Sequence, residues 1–146
     1  MKGVVIDASV ALAWCFPDEQ NAYADQVLEE LEGRPVVVSS VWALEIGNGL
    51  LVGARRKRLS QADITQFLKL LESLPLQELS RPVLTHIREI LPLGREYGLS
   101  AYDASYLEAA IRSGADLATA DAALERAARQ AGISILCAPH PRKPKR

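Results

Sequence analysis

The stretch Val4-Val5-Ile6-Asp7-Ala8-Ser9-Val10-Ala11-Leu12 decides how the 146-residue chain is organised. Its first three residues are β-branched and predict a short buried strand, and the small and apolar residues after Asp7 predict a helix that begins at once. Asp7 therefore stands at the carboxyl end of a strand, where open parallel sheets form their binding crevices. With apolar sequence on both sides, its carboxylate is costly to bury unless something cationic pairs with it.

The composition predicts one domain with no strong overall charge. The chain has 17 Lys and Arg residues against 18 Asp and Glu residues, so its net charge of −1 gives no global positive field, and a polyanion would need a local basic patch. Two cysteines without metal-ligand spacing, Cys15 and Cys137, indicate a reducing, cytoplasmic compartment. No segment reaches the roughly 18 apolar residues that a membrane span needs.

Short apolar runs alternate along the chain with segments of helical periodicity. This alternation predicts an α/β fold with helices on both faces of a mostly parallel central sheet of four to five strands. Pro92 is expected to break or kink the helix that starts near Pro82. Residues 1–138 are predicted to form a single domain, and the basic tail at residues 139–146 is predicted to be disordered. The predicted strands are residues 4–6, 36–38, 76–79, 117–119 and 133–136.

Four acidic side chains occupy comparable positions in this scheme. Asp7 and Asp121 each follow a predicted strand, and Glu45 lies in the first turns of the helix after the second strand. Asp103 lies in the first turn of a helix that begins at Ser100. Because the carboxyl ends of parallel strands share one edge of a sheet, we expect the four carboxylates to meet at that edge.

Each acid also has a purely structural interpretation. Asp7 and Asp121 could be helix N-caps, worth about 1 kcal/mol each. Asp103 could complete a capping box with Ser100, and Glu45 could be a solvated helix residue, although no capping role is open to it. Four unrelated coincidences at one edge of the sheet are a weaker explanation than a single site.

A cluster of four carboxylates favours a divalent metal ion. Such groups repel one another, and their pKa values rise unless a cation lies between them. Hard oxygen ligands select Mg²⁺ or Mn²⁺, and the ion can lower the pKa of a bound water and neutralise charge on a phosphate during in-line attack. The two histidines, His86 in a helix and His140 in the tail, are interpreted as non-catalytic.

Four short blocks resemble the signature blocks of the PIN-domain ribonucleases, and of the VapC-type toxins of toxin–antitoxin pairs most of all. The match runs from residue 4 to about residue 136. The resemblance implies a PIN-like three-layer α/β/α fold and a cytoplasmic, Mg²⁺- or Mn²⁺-dependent endoribonuclease. The blocks are Asp7-Ala8-Ser9, Glu45 with Asn48, Ser100-Ala101-Tyr102-Asp103-Ala104, and Thr119-Ala120-Asp121.

The same resemblance implies partners and roles. The substrate would be a structured RNA, often transfer RNA or ribosomal RNA, and the protein would be a homodimer held inactive by a small antitoxin encoded beside it. Ser9, Asn48 and Thr119 would orient the substrate or the metal ligands. The implied catalytic and metal-site residues are Asp7, Glu45, Asp103 and Asp121.

Basic and aromatic residues suggest where such partners would bind. Four consecutive cations could contact RNA phosphates without reading sequence, or could simply be a solvated helix end. An exposed subset of Trp14, Phe16 and Trp42 could form a groove for an antitoxin helix, although core packing is the default for aromatic residues. The four cations are Arg55, Arg56, Lys57 and Arg58.

One alternative remains open at this point. The chain could be a catalytically inactive PIN-like module that binds RNA or protein, although such a module need not keep four acids. A phospho-accepting receiver domain is disfavoured because no lysine follows a late strand.

Overall fold

A four-stranded parallel sheet lies at the centre of the computed structural model, which describes residues 1–137. Its strands are β1 (Val4–Ile6), β2 (Val36–Val38), β3 (Leu76–Glu78) and β4 (Asp116–Ala118), arranged in the order β3-β2-β1-β4. All three pairings are parallel, so the residues that follow the strands lie at one edge. The fold has the predicted PIN-like three-layer α/β/α architecture.

Seven helices connect and cover the strands. In the part of the chain that the structure describes they are α1 (Ala8–Leu12), α2 (Ala22–Glu30), α3 (Ser40–Arg55), α4 (Gln61–Ser73), α5 (Val83–Tyr97), α6 (Ala101–Ser113) and α7 (Ala122–Gln130). Glycines at positive φ, Gly98 and Gly114, end α5 and α6, because only glycine adopts the left-handed region at little cost. No helix among residues 1–137 is both long and apolar enough to cross a membrane.

The core lies around the central strands and α6. Every residue of β1 and β2 is buried, as expected of strands covered on both faces, whereas β3 is an exposed edge strand. In α6, residues 104–110 are all buried, since this helix packs on β1, β2, β4 and α5. The helix that carries Asp103 is therefore anchored by the interior of the protein.

Three sequence expectations need correction. Pro92 does not break α5, which runs through it, because proline has a helix-compatible φ and α5 packs along α6. Residues 133–136 form only one bridge, between Ile135 and Leu117, so the sheet has four strands. Helix α3 does not extend over all four cations: it ends at Arg55, because Lys57 has a φ of 57°. The predicted disordered tail, residues 139–146, lies outside the described residues.

Candidate active site

Asp7 is fixed at the carboxyl end of the central strand. Its backbone N–H donates to the Ala118 carbonyl at 2.9 Å, which continues the pairing of β1 with β4. Its carboxylate caps α1 by accepting a hydrogen bond from the Ser9 N–H at 3.2 Å, and it also accepts one from the Thr119 hydroxyl at 3.0 Å. The side chain is 8% exposed, so Asp7 is both an N-cap and a buried, oriented carboxylate.

Thr119 connects Asp7 to Asp121. The Thr119 side chain is fully buried; its Oγ1 donates to Asp7 Oδ2 at 3.0 Å and accepts from the Asp121 N–H at 3.1 Å. Asp121 in turn caps α7, since its Oδ1 accepts from the Leu124 N–H at 2.9 Å. One threonine hydroxyl thus sets the relative positions of the two strand-end acids.

Glu45 is held toward the same edge by Tyr106. The Tyr106 hydroxyl donates to Glu45 Oε1 at 2.9 Å and accepts from the Ala8 N–H at 3.3 Å, which joins α6, α3 and α1. Burial, and then the Glu45 carboxylate, raise the pKa of Tyr106 far above its usual range. The hydroxyl therefore stays protonated and remains a donor to Glu45.

Asp103 shows that the four acids share one electrostatic environment. Burial raises the pKa of the Asp103 carboxyl, and Asp121, Asp7 and Glu45 raise it further by charge repulsion, whereas Ser100 lowers it. The Asp103 N–H donates to Ser100 Oγ at 3.1 Å, which is the Ser100 half of the capping box. The fold therefore brings together acids from four separate segments of the sequence.

Among the described residues, the four carboxylates do not form a tight metal cage. Within residues 1–137, no three of them place oxygens within 4.8 Å of one another; the His, Cys, Asp or Glu group that meets this distance lies elsewhere, at His86, Glu89 and Glu108. An all-oxygen donor set suits Mg²⁺ or Mn²⁺, and Mg²⁺ keeps several waters when proteins bind it. The residues therefore fit a hydrated divalent ion.

An open groove between α1 and α3 leads to this edge. It has a volume of about 540 Å³, and Glu45 lies in its wall together with Ser9 and Asn48. The groove also has apolar sides, since Leu44 is 74% exposed and Tyr102 is 64% exposed. A ligand in the groove would meet polar groups beside Glu45 and apolar groups further out.

The comparisons with known proteins agree with this arrangement. The PIN domain family model matches residues 4–130. The chain belongs to the PIN domain family. No curated protein sequence matches the chain significantly.

Solved structures show the same fold. PAE2754 from Pyrobaculum aerophilum is 29% identical, with a TM-score of 0.64 over 92% of this chain and 83% of that chain. FitAcB from Neisseria gonorrhoeae is 18% identical, with a TM-score of 0.60 over 90% and 95%. VapBC2 from Rickettsia felis, bound to a DNA fragment from their promoter, is 16% identical, with a TM-score of 0.63 over 91% and 96%. The family model confirms the predicted PIN domain family, and these neighbours share its fold.

The basic segment of this PIN domain lies away from the acidic edge. Arg55 is ten residues beyond Glu45 on α3, which is about 15 Å along the helix axis. Arg58 is already engaged, because its guanidinium lies 4.3 Å from the centre of the Phe16 ring and donates to Glu19 at 2.9 Å. All four cations are exposed, and Arg58 is the one that these contacts engage.

The tryptophans of the PIN domain pack in its interior rather than forming an exposed groove. Trp42 is 6% exposed, and the Trp14 indole N–H donates to the Ala24 carbonyl at 2.8 Å. Core packing, the default interpretation, therefore describes both tryptophans.

Two tyrosines that support the site were not identified from the sequence. The sequence spacing could have indicated Tyr106, because this residue lies three positions after Asp103 and therefore on a similar side of α6. Tyr23 has no such spacing: its hydroxyl accepts from the Thr119 N–H at 3.1 Å and donates to the Leu136 carbonyl at 2.9 Å across large sequence separations. Burial is the main reason that the pKa of Tyr23 rises to about 12.

Asp103→Asn is expected to stabilise this PIN domain in metal-free buffer. Since the pKa of Asp103 is raised in the folded state, ionisation costs folding stability as pH rises from the ordinary value of 3.8 through the raised one. The variant avoids this cost, so its Tm should exceed that of the wild type at pH 7 by at most about 2 °C after solvent screening. Thermal unfolding in EDTA at pH 3.5 and pH 7 measures the difference.

The difference should shrink at the lower pH, where the carboxyl is mostly protonated in both states. Asp25→Asn, at an exposed position in the first turn of α2, is the matched control and should not reproduce the gain. A lower Tm for Asp103→Asn at pH 7 would contradict the interpretation of mutual repulsion.

Proposed function

We propose that this PIN domain is a metal-dependent endoribonuclease and the toxin component of a type II toxin–antitoxin pair. The observation that carries the proposal is the raised pKa of Asp103, since Asp121, Asp7 and Glu45 all contribute to it. Acids from distant parts of the chain that repel one another at the open edge of a parallel sheet are a candidate functional site rather than a stabilising device.

Asp7, Glu45, Asp103 and Asp121 are the proposed residues for binding Mg²⁺ or Mn²⁺. When bound, such an ion lowers the pKa of water and neutralises charge that develops on a phosphate. The assignment is supported by the all-carboxylate donor set and by the repulsion that a cation would relieve. Because the oxygens are not tightly clustered, we propose that some of the four act through water.

The surrounding residues of the chain orient these acids. Thr119 donates to Asp7 and holds the Asp121 backbone, so the two strand-end carboxylates keep a fixed relation. Tyr106 holds the Glu45 side chain by donating a hydrogen bond to its Oε1. Ser9 and Asn48, which line the groove beside Glu45, are the proposed contacts to the RNA near the scissile phosphate.

The RNA would extend from this edge toward exposed cations. Arg55, Arg56 and Lys57 are the proposed phosphate contacts, which position RNA without selecting sequence. Arg58 would contribute less, because it is paired with Glu19 and Asp18. A folded RNA such as transfer RNA or ribosomal RNA is the proposed substrate class, since its backbone could reach both the edge and the basic segment.

A cognate antitoxin is the proposed protein partner. Its docking is supported by Leu44 and Leu51, which are 74% and 56% exposed and lie seven residues apart on one face of α3 beside the groove. FitAB bound to an IR36 DNA fragment is among the structural neighbours, with 17% identity and a TM-score of 0.59. We also propose a homodimer in the cytoplasm, as the VapC resemblance implies.

The alternative, a catalytically inactive module that binds RNA or protein, is favoured by one observation. Asp7 and Asp121 each accept a backbone hydrogen bond as helix caps, and no three of the four acids lie within 4.8 Å of one another among residues 1–137. The two functions differ in turnover, because a binding module protects RNA without cutting it.

The proposed activity is tested with purified protein and total cellular RNA. We expect cleavage in the presence of Mn²⁺ or Mg²⁺ and none in EDTA, with activity restored when the divalent ion is returned. Sequencing of the product ends identifies the RNA and the cut site. Binding of RNA with no cleavage at any divalent-ion concentration would support the inactive module instead.

A further inference from the structure

A second group of potential metal ligands lies between α5 and α6. His86 and Glu89 are three residues apart on α5, and Glu108 faces them from α6. One ligand atom from each residue lies within 4.8 Å of the others, a closer grouping than any three of the four candidate active-site acids achieve among residues 1–137. Glu108 is about 7.5 Å further along α6 than Asp103, so the two groups are separate.

The His86 ring is oriented with one nitrogen directed at this group. Its Nε2 is 3.4 Å from the hydroxyl of Ser105, a residue that is 4% exposed, and its Nδ1 is 3.9 Å from Glu108 Oε2. When Nε2 carries the proton and donates to Ser105, Nδ1 presents a lone pair to a carboxylate oxygen. Metal-binding histidines are oriented in this way, with the second ring nitrogen donating to a neighbouring group.

Two buried atoms in this group have no hydrogen-bond partner while Glu89 and Glu108 are both ionised; burial, and then a hydrogen bond with Glu89, raise the pKa of Glu108. The two atoms are His86 Nδ1 and Glu89 Oε2. Buried polar atoms without a partner cost folding free energy. A cation between them would remove that cost, because each atom offers a lone pair.

The neighbouring arginines leave these atoms free. Arg81 Nη2 contacts Glu89 Oε1 at 2.9 Å, and Arg112 Nε contacts Glu108 Oε1 at 2.8 Å. Glu108 Oε2 has only a longer contact, at 3.4 Å from Arg112 Nη2. Each carboxylate therefore keeps a second oxygen for another ligand, although the two guanidinium charges repel a cation and so weaken its binding. Imidazole nitrogen with carboxylate oxygen suits Zn²⁺ better than Mg²⁺.

We propose that His86, Glu89 and Glu108 bind a divalent transition-metal ion of the Zn²⁺ type that ties α5 to α6. The role is structural: α5 packs along α6 with no fully buried residue of its own, and the metal would add a bridge between the two helices. Three protein ligands leave a position for water, as in other three-ligand zinc sites. The proposal does not depend on the nuclease function.

Metal binding is measured with the full chain carrying Asp7→Asn and Asp103→Asn, which weaken the candidate active site. Co²⁺ is the spectroscopic probe, and Zn²⁺ is the competitor. We expect one equivalent of Co²⁺ to bind with visible d–d absorption, and Zn²⁺ to displace it and to raise the Tm. Adding Glu89→Gln or His86→Ala should abolish the absorption, and Ser105→Ala should weaken binding by roughly 10-fold.

The second histidine of the chain provides the matched control. His140→Ala in the same background should leave the absorption and the Tm shift unchanged. Circular dichroism identifies a variant that fails to fold. If His86→Ala fails to fold, Glu89→Gln still tests the proposal, because it keeps the size of the side chain. The proposal is overturned if the parent protein shows no Co²⁺ absorption. It is also overturned if the absorption survives both Glu89→Gln and His86→Ala. A proton shared between Glu89 and Glu108 would then explain the cluster.

Discussion

Asp7→Asn is expected to lower the rate of RNA cleavage by at least roughly 1,000-fold, since a metal ion supplies several kcal/mol of transition-state stabilisation and 1.36 kcal/mol is a factor of ten. Asp7 is the most constrained of the four acids, because both of its oxygens accept hydrogen bonds at the end of the central strand. Asparagine keeps the size and can keep the cap to Ser9, but it loses the charge that a divalent ion requires.

The measurement is single-turnover cleavage of the identified RNA in Mn²⁺, with circular dichroism as the check on folding. Asp25→Asn, which removes a carboxylate from an exposed position on α2, is the control and should retain wild-type rates. If Asp7→Asn remains folded and cuts RNA at a rate within tenfold of the wild type, Asp7 is not a metal ligand of the reaction.

Leu107→Ala should be the most destabilising single substitution that we predict, at about 2–5 kcal/mol. Leu107 is fully buried in α6, the helix that packs on three strands and on α5. Truncation leaves a cavity that the rigid sheet cannot fill, so Tm should fall by roughly 6–15 °C. The loss should also weaken the site, since Asp103 lies one turn earlier on the same helix.

Urea and thermal unfolding measure this effect against Leu84→Ala. Leu84 is 64% exposed on α5, so its truncation should change stability by no more than about 0.5 kcal/mol. Equal losses from the two substitutions would show that α6 does not form the centre of the core.

The sequence predicted the central elements because their burial leaves a strong signal. The valine-rich strands β1 and β2 are buried on both faces, so they appear as uninterrupted apolar runs. Residues 133–136 are also largely apolar, although Ser134 interrupts them, but they form a single bridge, and Cys137 after them has a φ of 53°. Such a backbone turn at a non-glycine residue has no recognisable pattern in the sequence.

The candidate site was predictable only where topology alone places a residue. Asp7 and Asp121 follow adjacent parallel strands, so the sheet itself brings them together. The contacts of the two tyrosines were not predictable, because Tyr106 meets Glu45 across 61 positions and Tyr23 meets Thr119 across 96. Those contacts depend on how the helices pack, and apolar periodicity does not encode that packing at the level of single hydroxyl groups.

The strand order has a consequence for synthesis of the chain on the ribosome. The central strand pairs on one side with β4, which begins only at Asp116, and the last of the four acids follows it at Asp121. A nascent polypeptide that has not been extended past residue 115 therefore has neither an enclosed central strand nor a complete acidic edge. The candidate site can form only after the ribosome has added both β4 and Asp121.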